Sequence, residues 1–438
     1  MRDTQVDSGV KDKMGRHLFR VIWRLSIALL AVICCYRLIQ DSARAGASRL
    51  FSFTAIIQSK LAAADLAVSL APSDPEAHYT RALALVNSDR LTDAVVELRQ
   101  ATTLRPHHYY EWLDLGVTLD RLGDQTAAIA ALKESVRLAP FFAQPRWQLG
   151  NVFFRLGRHE EAFAELRLGA KSNPNLFAGM LDLAWVAADG DVTTLEALVQ
   201  PQSTADHLRL ASFLARQGKG PDAARHVREA GEAREEGERL LLHQTITQLL
   251  AAQQFSDAYA AWALTHRSAG GDGAKGQVLN GSFTEPIIQD DPGFGWQLQP
   301  VPTVSVSIDP VGPGVGARSL HLSFGGDSAG GSQPIHQLVL IQPNSRYSLS
   351  FVARAENLVS GGPPVILVLD PRGDATKILG QSEPLAPGTS GWTSYKVDFS
   401  TDENISAVRV SLRRLACNQS PCPIFGKLWL SRFSLVKI

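Results

Sequence analysis

The sequence predicts three structural parts: an N-terminal membrane helix, an all-α solenoid of helical hairpins and an all-β sandwich. Near the N-terminus, an apolar run without charges follows a basic segment. Further along, Pro72, Pro106, Pro140 and Pro174 recur at intervals of 34 residues. Equal spacing of this kind is typical of stacked copies of one unit. From Gln277 onward, glycines and prolines separate short runs in which apolar and polar residues alternate, as they do in strands.

The composition limits the classes of function. A chain of 438 residues is expected to form two or three domains. Lys+Arg and Asp+Glu balance at 43 each, so nothing predicts nucleic-acid binding. Because nucleophile elbows, phosphate loops and His-Glu zinc helices are missing from the sequence, we expect no enzyme, cofactor or metal. A glycan-active enzyme with two opposed carboxylates of the β-domain stays open as an alternative.

The N-terminal segment predicts membrane insertion. The uncharged apolar run spans residues 25–36, and the hydrophobic character extends over 21–39. The basic residues before it are Lys11, Lys13, Arg16, Arg20 and Arg24. We therefore expect residues 1–20 to stay cytoplasmic, residues 21–39 to form a signal anchor and the rest to be extracytoplasmic. A cleaved signal peptide and the buried helix of a soluble protein are the alternatives.

The repeated segment carries the same small and apolar positions in each copy. The second copy has Trp112, Leu115, Gly116, Leu119, Gly123, Ala128, Leu132, Ser135 and Pro140. The third copy has Leu149, Gly150, Phe153, Gly157, Ala162, Leu166, Gly169 and Pro174. A weaker first copy has Ala82, Leu85, Ala94, Leu98, Ala101 and Pro106. This pattern resembles the tetratricopeptide repeat. The best repeats cover 73–174, and the whole solenoid is predicted over 43–267.

The resemblance implies a concave groove lined by residues of the first helix of each repeat. In this sequence they are Tyr79, Asn87, Tyr110, Leu113, Arg121, Trp147, Asn151, Phe154 and Arg155. Aromatic anchors with amide and arginine donors suit an extended peptide or a partner helix. The alternative is that some of them pack against a neighbouring helix. The adjacent His107 and His108 are expected in an inter-repeat turn rather than in a metal site.

The C-terminal part predicts a β-domain behind a glycine-rich linker. Residues 268–276 read as a flexible linker, and 277–438 as a sandwich of the jelly-roll type. The motifs Asn280-Gly281-Ser282-Phe283, Gly295-Trp296 and Gly391-Trp392 make this part similar to galactose-binding-like jelly rolls, a class with many carbohydrate-binding modules. Such modules often place carboxylates for a structural calcium in their last strand. Arg432 occupies that place here, which puts calcium in doubt.

Strand alternation in the β-domain suggests a sugar-binding face. Trp429 lies opposite Leu428 and Leu430, and planar donors are expected to share its face. These donors are Arg409, Arg413, Arg354 and Gln337. An aromatic ring flanked by such donors can stack on a sugar and bind its hydroxyls. The alternative places Trp429 under a loop.

Cys417 and Cys422 bracket a turn-rich loop and can form a disulfide in an oxidising compartment, or stay as two thiols.

Together the features of the sequence predict a membrane-anchored extracytoplasmic adaptor without enzymatic activity. Its repeats would bind a protein or peptide and its β-domain a glycan, with envelope polysaccharide assembly as the setting. In the alternative, the β-domain is a spacer or a second protein-docking module.

Overall fold

A computed structural model describes residues 6–58, 60–266, 276–289, 291–327, 331–372, 377–417 and 422–438. The chain forms two compact units, Met1–Val199 and Gln200–Ile438. Of the predicted linker, all but Gly276 lies outside the described residues. The predicted domain boundaries stay predictions.

The first helix is long and apolar. Helix α1 (Val6–Gln58) has 53 residues. Its part from Val21 to Gln58 is long and apolar enough to span a membrane or to act as a signal sequence. The C-terminal part of α1 pairs with α2 (Leu61–Leu70), where the Ser48 hydroxyl donates to the carbonyl of Ala67 at 2.9 Å. The helix therefore continues beyond the predicted span and becomes the first member of a hairpin.

Three helical hairpins follow in the predicted phase, which confirms the helical repeat. Their helices are α3 (Pro75–Asn87), α4 (Leu91–Leu104), α5 (Tyr109–Arg121), α6 (Gln125–Leu138), α7 (Ala143–Arg155) and α8 (His159–Ser172). A 3₁₀ turn (Pro174–Leu176) leads into α9 (Phe177–Ala187) and α10 (Val192–Val199). The turns between paired helices need left-handed residues, and Gly123 and Gly157 supply them with φ of 83° and 71°.

In the hairpins α5–α6 and α7–α8, the two helices approach closely at a glycine. A Cβ at Gly116 would lie 2.5 Å from Cγ of Leu132, and one at Gly150 would lie 2.7 Å from Cγ of Leu166. Both leucines are fully buried. Since real Cβ atoms do not approach neighbouring carbons so closely, the glycines are what allow this packing.

The second unit begins with helices and continues into strands. Its helices are α11 (Thr204–Arg216), α12 (Gly220–Ala230), α13 (Glu236–Ala251) and α14 (Phe255–Ala263). Trp262 on α14 donates from Nε1 to Oδ1 of Asp291 at 2.6 Å, and its ring stacks on His266 at 4.1 Å. Helix α14 is therefore bonded to the segment that precedes the first strand.

Within the described residues, the strands form two antiparallel sheets of five strands each. Their bounds are β1 (Gln297–Leu298), β2 (Val304–Asp309), β3 (Ser319–Asp327), β4 (Ile335–Leu340), β5 (Arg346–Ser360), β6 (Pro364–Leu369), β7 (Ile378–Gln381), β8 (Gly388–Ser400), β9 (Ala407–Arg414) and β10 (Pro423–Lys437). One sheet has the order β1-β4-β9-β6-β7 and the other β2-β3-β10-β5-β8. Leu320 and Phe351 of one sheet share a buried cluster with Val408 and Val410 of the other. The two sheets thus form two layers around one core.

Candidate functional site

The predicted groove residues lie on α3, α5 and α7, and three of them bond to the adjacent hairpin. The Tyr79 hydroxyl donates to Oδ2 of Asp114 at 2.7 Å. The Arg121 guanidinium donates to Asp89 at 3.2 Å. Arg155 pairs with Asp120 in the same way. These polar contacts connect successive repeats. The three side chains therefore stabilise the stacking of the repeats, although they belong to the predicted groove.

Three further groove candidates pack against neighbouring helices or within their own hairpin. Leu113 is only 5% exposed and is therefore a packing residue, as the alternative held. The ring of Phe154 meets the edge of Phe163, with centroids 6.2 Å apart. Trp147 is half-buried and faces α9, where a Cβ at Gly179 would lie 3.3 Å from the indole. The repeat spacing predicts which residues lie on the first helix of each repeat. It does not predict how deep the groove is, because that depends on how closely the next helix packs.

Exposed aromatic residues cluster at the N-terminal ends of α5 and α7. Tyr110 is 48% exposed and stacks on Tyr109 with ring centroids 4.2 Å apart. Tyr109 in turn lies 5.0 Å from the ring of Phe142, which is 53% exposed, and the adjacent Phe141 is 85% exposed. We call these four residues the aromatic edge. Large exposed apolar side chains that cluster in this way mark interaction sites. Of the other candidates, Asn87 is exposed and Asn151 half-buried.

Phe141 and Phe142 are not among the predicted groove residues. Their only signal is an aromatic pair directly after Pro140, in an inter-repeat turn where polar residues are the norm.

A buried carboxylate lies next to the aromatic edge. Glu111 is fully buried, and neither of its oxygens accepts a hydrogen bond in the described part of the chain. The Arg105 guanidinium lies 3.3 Å from Oε1 and the His108 Nδ1 lies 3.6 Å from it. Burial raises the pKa of Glu111 to about 7, although the Arg105 charge opposes this shift. The carboxyl group therefore titrates near neutral pH.

In the β-region, Trp429 is buried rather than presented on an open face. It is 6% exposed, and its Nε1 donates to Oδ2 of Asp309 at 3.0 Å. The His321 ring stacks on the indole at 4.8 Å, and the guanidinium carbon of Arg354 lies 4.8 Å from its centroid. The hydrogen bond from Trp429 lowers the pKa of Asp309. The covering residues occupy the surface on which a sugar ring would stack.

Three of the four predicted donors do not share a face with Trp429, so this part of the prediction is wrong. Arg409 and Arg413 lie on β9, in the sheet that does not contain Trp429. Gln337 on β4 is fully buried; its amide donates to the Leu279 carbonyl at 2.9 Å and accepts from the Leu279 amide at 3.1 Å. Alternation tells which side of a strand a residue occupies, but not to which sheet the strand belongs. The structure brings together only Trp429 and Arg354.

A pocket of about 240 Å³ lies elsewhere in the second unit. Trp262, His266 and Trp296 supply aromatic walls, and Asn280 and Glu285 supply polar groups. The sequence motifs around Asn280 and Trp296 indicated the start of the β-domain but not a pocket.

The predicted disulfide is confirmed. Cys417 and Cys422 are bonded, with Cα atoms 6.0 Å apart. The buried guanidinium of Arg414 donates to the Cys422 carbonyl at 2.8 Å and contacts its Sγ at 3.1 Å. The disulfide therefore closes the loop between β9 and β10, next to a cation that binds the same cysteine.

Comparison with known proteins assigns the repeats. The tetratricopeptide repeat model matches residues 79–143 and 113–176. These matches cover the three hairpins in which the 34-residue spacing is clearest. Residues 79–176 are therefore tetratricopeptide repeats.

Individual similar proteins match parts of the chain. Protein FlbA of Caulobacter vibrioides is 33% identical over 101 residues, which are 23% of this chain and 17% of FlbA. Among solved structures, a MamA RS-1 double mutant has 19% identity and a TM-score of 0.31, covering 36% of this chain and 95% of its own. A CBM4 structure has 14% identity and a TM-score of 0.28, covering 37% and 99%.

Proposed function

We propose that this protein is a non-enzymatic, membrane-anchored scaffold whose tetratricopeptide repeats bind a protein or peptide partner. The observation that carries the proposal is the aromatic edge on these repeats. Tyr110 and Phe142 expose about half of their surface although each has an aromatic neighbour to pack on. Tyrosine and phenylalanine side chains of this kind contribute much of the binding energy in protein interfaces.

The bonds between repeats support the same proposal. Tyr79 and Arg121 each bond to an acidic group one hairpin away. A surface held in this manner is largely preorganised, and a rigid surface loses less entropy when it binds. The exposed Asn87 and half-buried Asn151 can add hydrogen bonds to the backbone of a bound peptide.

Site-specific photocrosslinking in cells tests the interaction. A benzophenone amino acid at Tyr110 should give a discrete crosslinked adduct. The matched position is Val96 on α4, which is 62% exposed and is not one of the four residues of the aromatic edge. No adduct at position 110, or the same adduct from both positions, would contradict binding at the aromatic edge.

The proposed topology places the N-terminus in the cytoplasm and the remainder outside, in the setting of envelope polysaccharide assembly. The basic residues before the apolar helix support this orientation. The Cys417–Cys422 disulfide also supports it, because disulfides persist in oxidising compartments. Reporter fusions after residue 60 and after residue 438 should both be active outside the cytoplasm. Cytoplasmic activity of both would refute the orientation.

A second proposed activity is carbohydrate binding by the β-region, which we propose to be a galactose-binding-like jelly roll. The pocket favours it through its polar groups, because Asn280 and Glu285 can bind sugar hydroxyls, while the buried Trp262 and Trp296 close its inner side. Calorimetry and glycan arrays with the full-length protein in detergent provide the test. Glu285→Ala should weaken saccharide binding, whereas Glu383→Ala, which removes another exposed carboxylate, should not. Absence of saccharide binding would favour the spacer or docking-module alternative.

A further inference from the structure

Three metal-ligating side chains converge between α11 and α12, and none of them belongs to the aromatic edge or lines the pocket. They are His207 on α11 and His226 and Glu229 on α12. The two Nδ1 atoms lie 3.1 Å apart. Oε2 of Glu229 lies 3.1 Å from Nδ1 of His226 and 3.5 Å from Nδ1 of His207. The three atoms form a nearly equilateral triangle.

The helical hairpin places these residues together. His226 and Glu229 are three residues apart on α12, which puts both on the same face of the helix. His207 lies in the first turns of α11, next to the capping box formed by Ser203 and Asp206. The Thr204 hydroxyl donates to the Ala230 carbonyl at 3.1 Å and fixes the start of α11 against the end of α12.

The triangle has the dimensions of a tetrahedral zinc site. Zinc binds imidazole nitrogen and carboxylate oxygen at about 2.0–2.1 Å, so tetrahedral ligand atoms lie roughly 3.3 Å from one another. The three observed separations of 3.1, 3.1 and 3.5 Å lie around this value. Hydrogen bonding alone serves the three atoms less well, because in every tautomer two of them face each other as two acceptors or as two donors.

The surroundings support cation binding. His226 is 2% exposed in its side chain, whereas His207 and Glu229 are 20% and 41% exposed, so one side of the triangle is open to solvent. Arg225 binds the other oxygen of Glu229, Oε1, at 3.2 Å, which orients the carboxylate and leaves Oε2 toward the histidines. The positive charge of Arg225 opposes the binding of a metal ion. Asp222 offsets this charge, because it forms an ion pair with Arg225 at 3.1 Å.

We propose that His207, His226 and Glu229 bind one Zn²⁺ ion, with water at the fourth position. The ion joins the start of α11 to the end of α12 and thereby stabilises this hairpin. The sequence alone did not reveal the site, because His207 and His226 are 19 residues apart and match no zinc-ligand spacing.

The test uses the full-length protein in detergent, purified with a tag that contains no histidine and stripped with EDTA. Calorimetric titration with Zn²⁺ should show one ion per chain. His207→Ala and Glu229→Gln should each weaken binding at least tenfold. The matched controls His107→Ala and Glu232→Gln, which change exposed residues outside the triangle, should bind as the wild type does.

Two further measurements guard against a variant that fails to fold. Far-UV circular dichroism reports whether each variant keeps its helices. Co²⁺ in place of Zn²⁺ should give the visible absorption of a tetrahedral site in the wild type and lose it in His207→Ala. The proposal is overturned if the wild type binds no Zn²⁺, or if a folded His207→Ala/Glu229→Gln variant binds one ion as tightly as the wild type.

Discussion

Replacing Gly116 by alanine tests whether the repeat glycines are required for close helix packing. The added Cβ would lie 2.5 Å from Cγ and 2.8 Å from Cδ2 of Leu132, and 3.2 Å from the carbonyl oxygen of Ala128. Leu132 is fully buried, so its side chain is surrounded by other protein atoms. Either the leucine leaves its rotamer or α6 moves away from α5.

The expected magnitude follows from two opposing terms. Overpacking of a core by one methyl group costs about 1–3 kcal/mol. Alanine in a helix is favoured over glycine by about 1 kcal/mol, which offsets part of that cost. We therefore expect Gly116→Ala to lower the free energy of unfolding by about 1 kcal/mol. The control is Gly237→Ala in α13, where a Cβ meets nothing within 4 Å. It should leave stability unchanged or raise it.

A double-mutant cycle separates the steric term from the propensity term. Leu132→Ala alone should cost about 2–5 kcal/mol. In that background the two contacts with the leucine side chain are gone and the 3.2 Å contact with the Ala128 carbonyl oxygen remains, so Gly116→Ala should become neutral or stabilising by up to about 1 kcal/mol. The assay is urea unfolding of the full-length protein in detergent, followed by far-UV circular dichroism. If Gly116→Ala has the same effect with and without Leu132, the packing argument is refuted.

Three further outcomes are expected. Because the folded-state pKa of Glu111 is raised from 4.5 to about 7, the folded state holds an extra proton between these values, and stability falls as pH rises through this window. The free energy of unfolding of Glu111→Gln, measured with urea, should therefore rise relative to that of the wild type by roughly 1–3 kcal/mol between pH 5 and pH 8. A difference between the two proteins that does not change with pH would contradict this. Asp309→Ala removes the hydrogen-bond acceptor of the buried Trp429 and should lower the free energy of unfolding by about 1–3 kcal/mol. It should also change the tryptophan fluorescence maximum, and an unchanged spectrum would argue against the hydrogen bond. Cys417→Ser should leave one free thiol at Cys422 that a maleimide labels without reduction, whereas wild-type protein should be unlabelled there.

The β-region shows where sequence reasoning stops. Strand alternation correctly separated the core side of β10, with Leu428 and Leu430, from the side with Trp429. It could not show that His321 and Arg354 cover the indole, because the covering residues come from β3 and β5, which pair with β10 only in the folded sheet. The prediction for Gln337 was wrong for a related reason. This residue faces the core, where the Leu279 backbone satisfies its side-chain amide.

The sequence by itself determined the helical repeats, since their signal is local. The left-handed turn at Gly123, the close approach at Gly116 and the 34-residue period depend on neighbours within one or two helices, so residue spacing records them. Only the tertiary structure decided which groove positions are exposed and which atoms of distant residues meet. Tyr110 and Leu113 lie on the same helix, yet only Tyr110 is exposed. Burial depends on packing between elements that are far apart in sequence, and the meeting of His207 with His226 has the same origin.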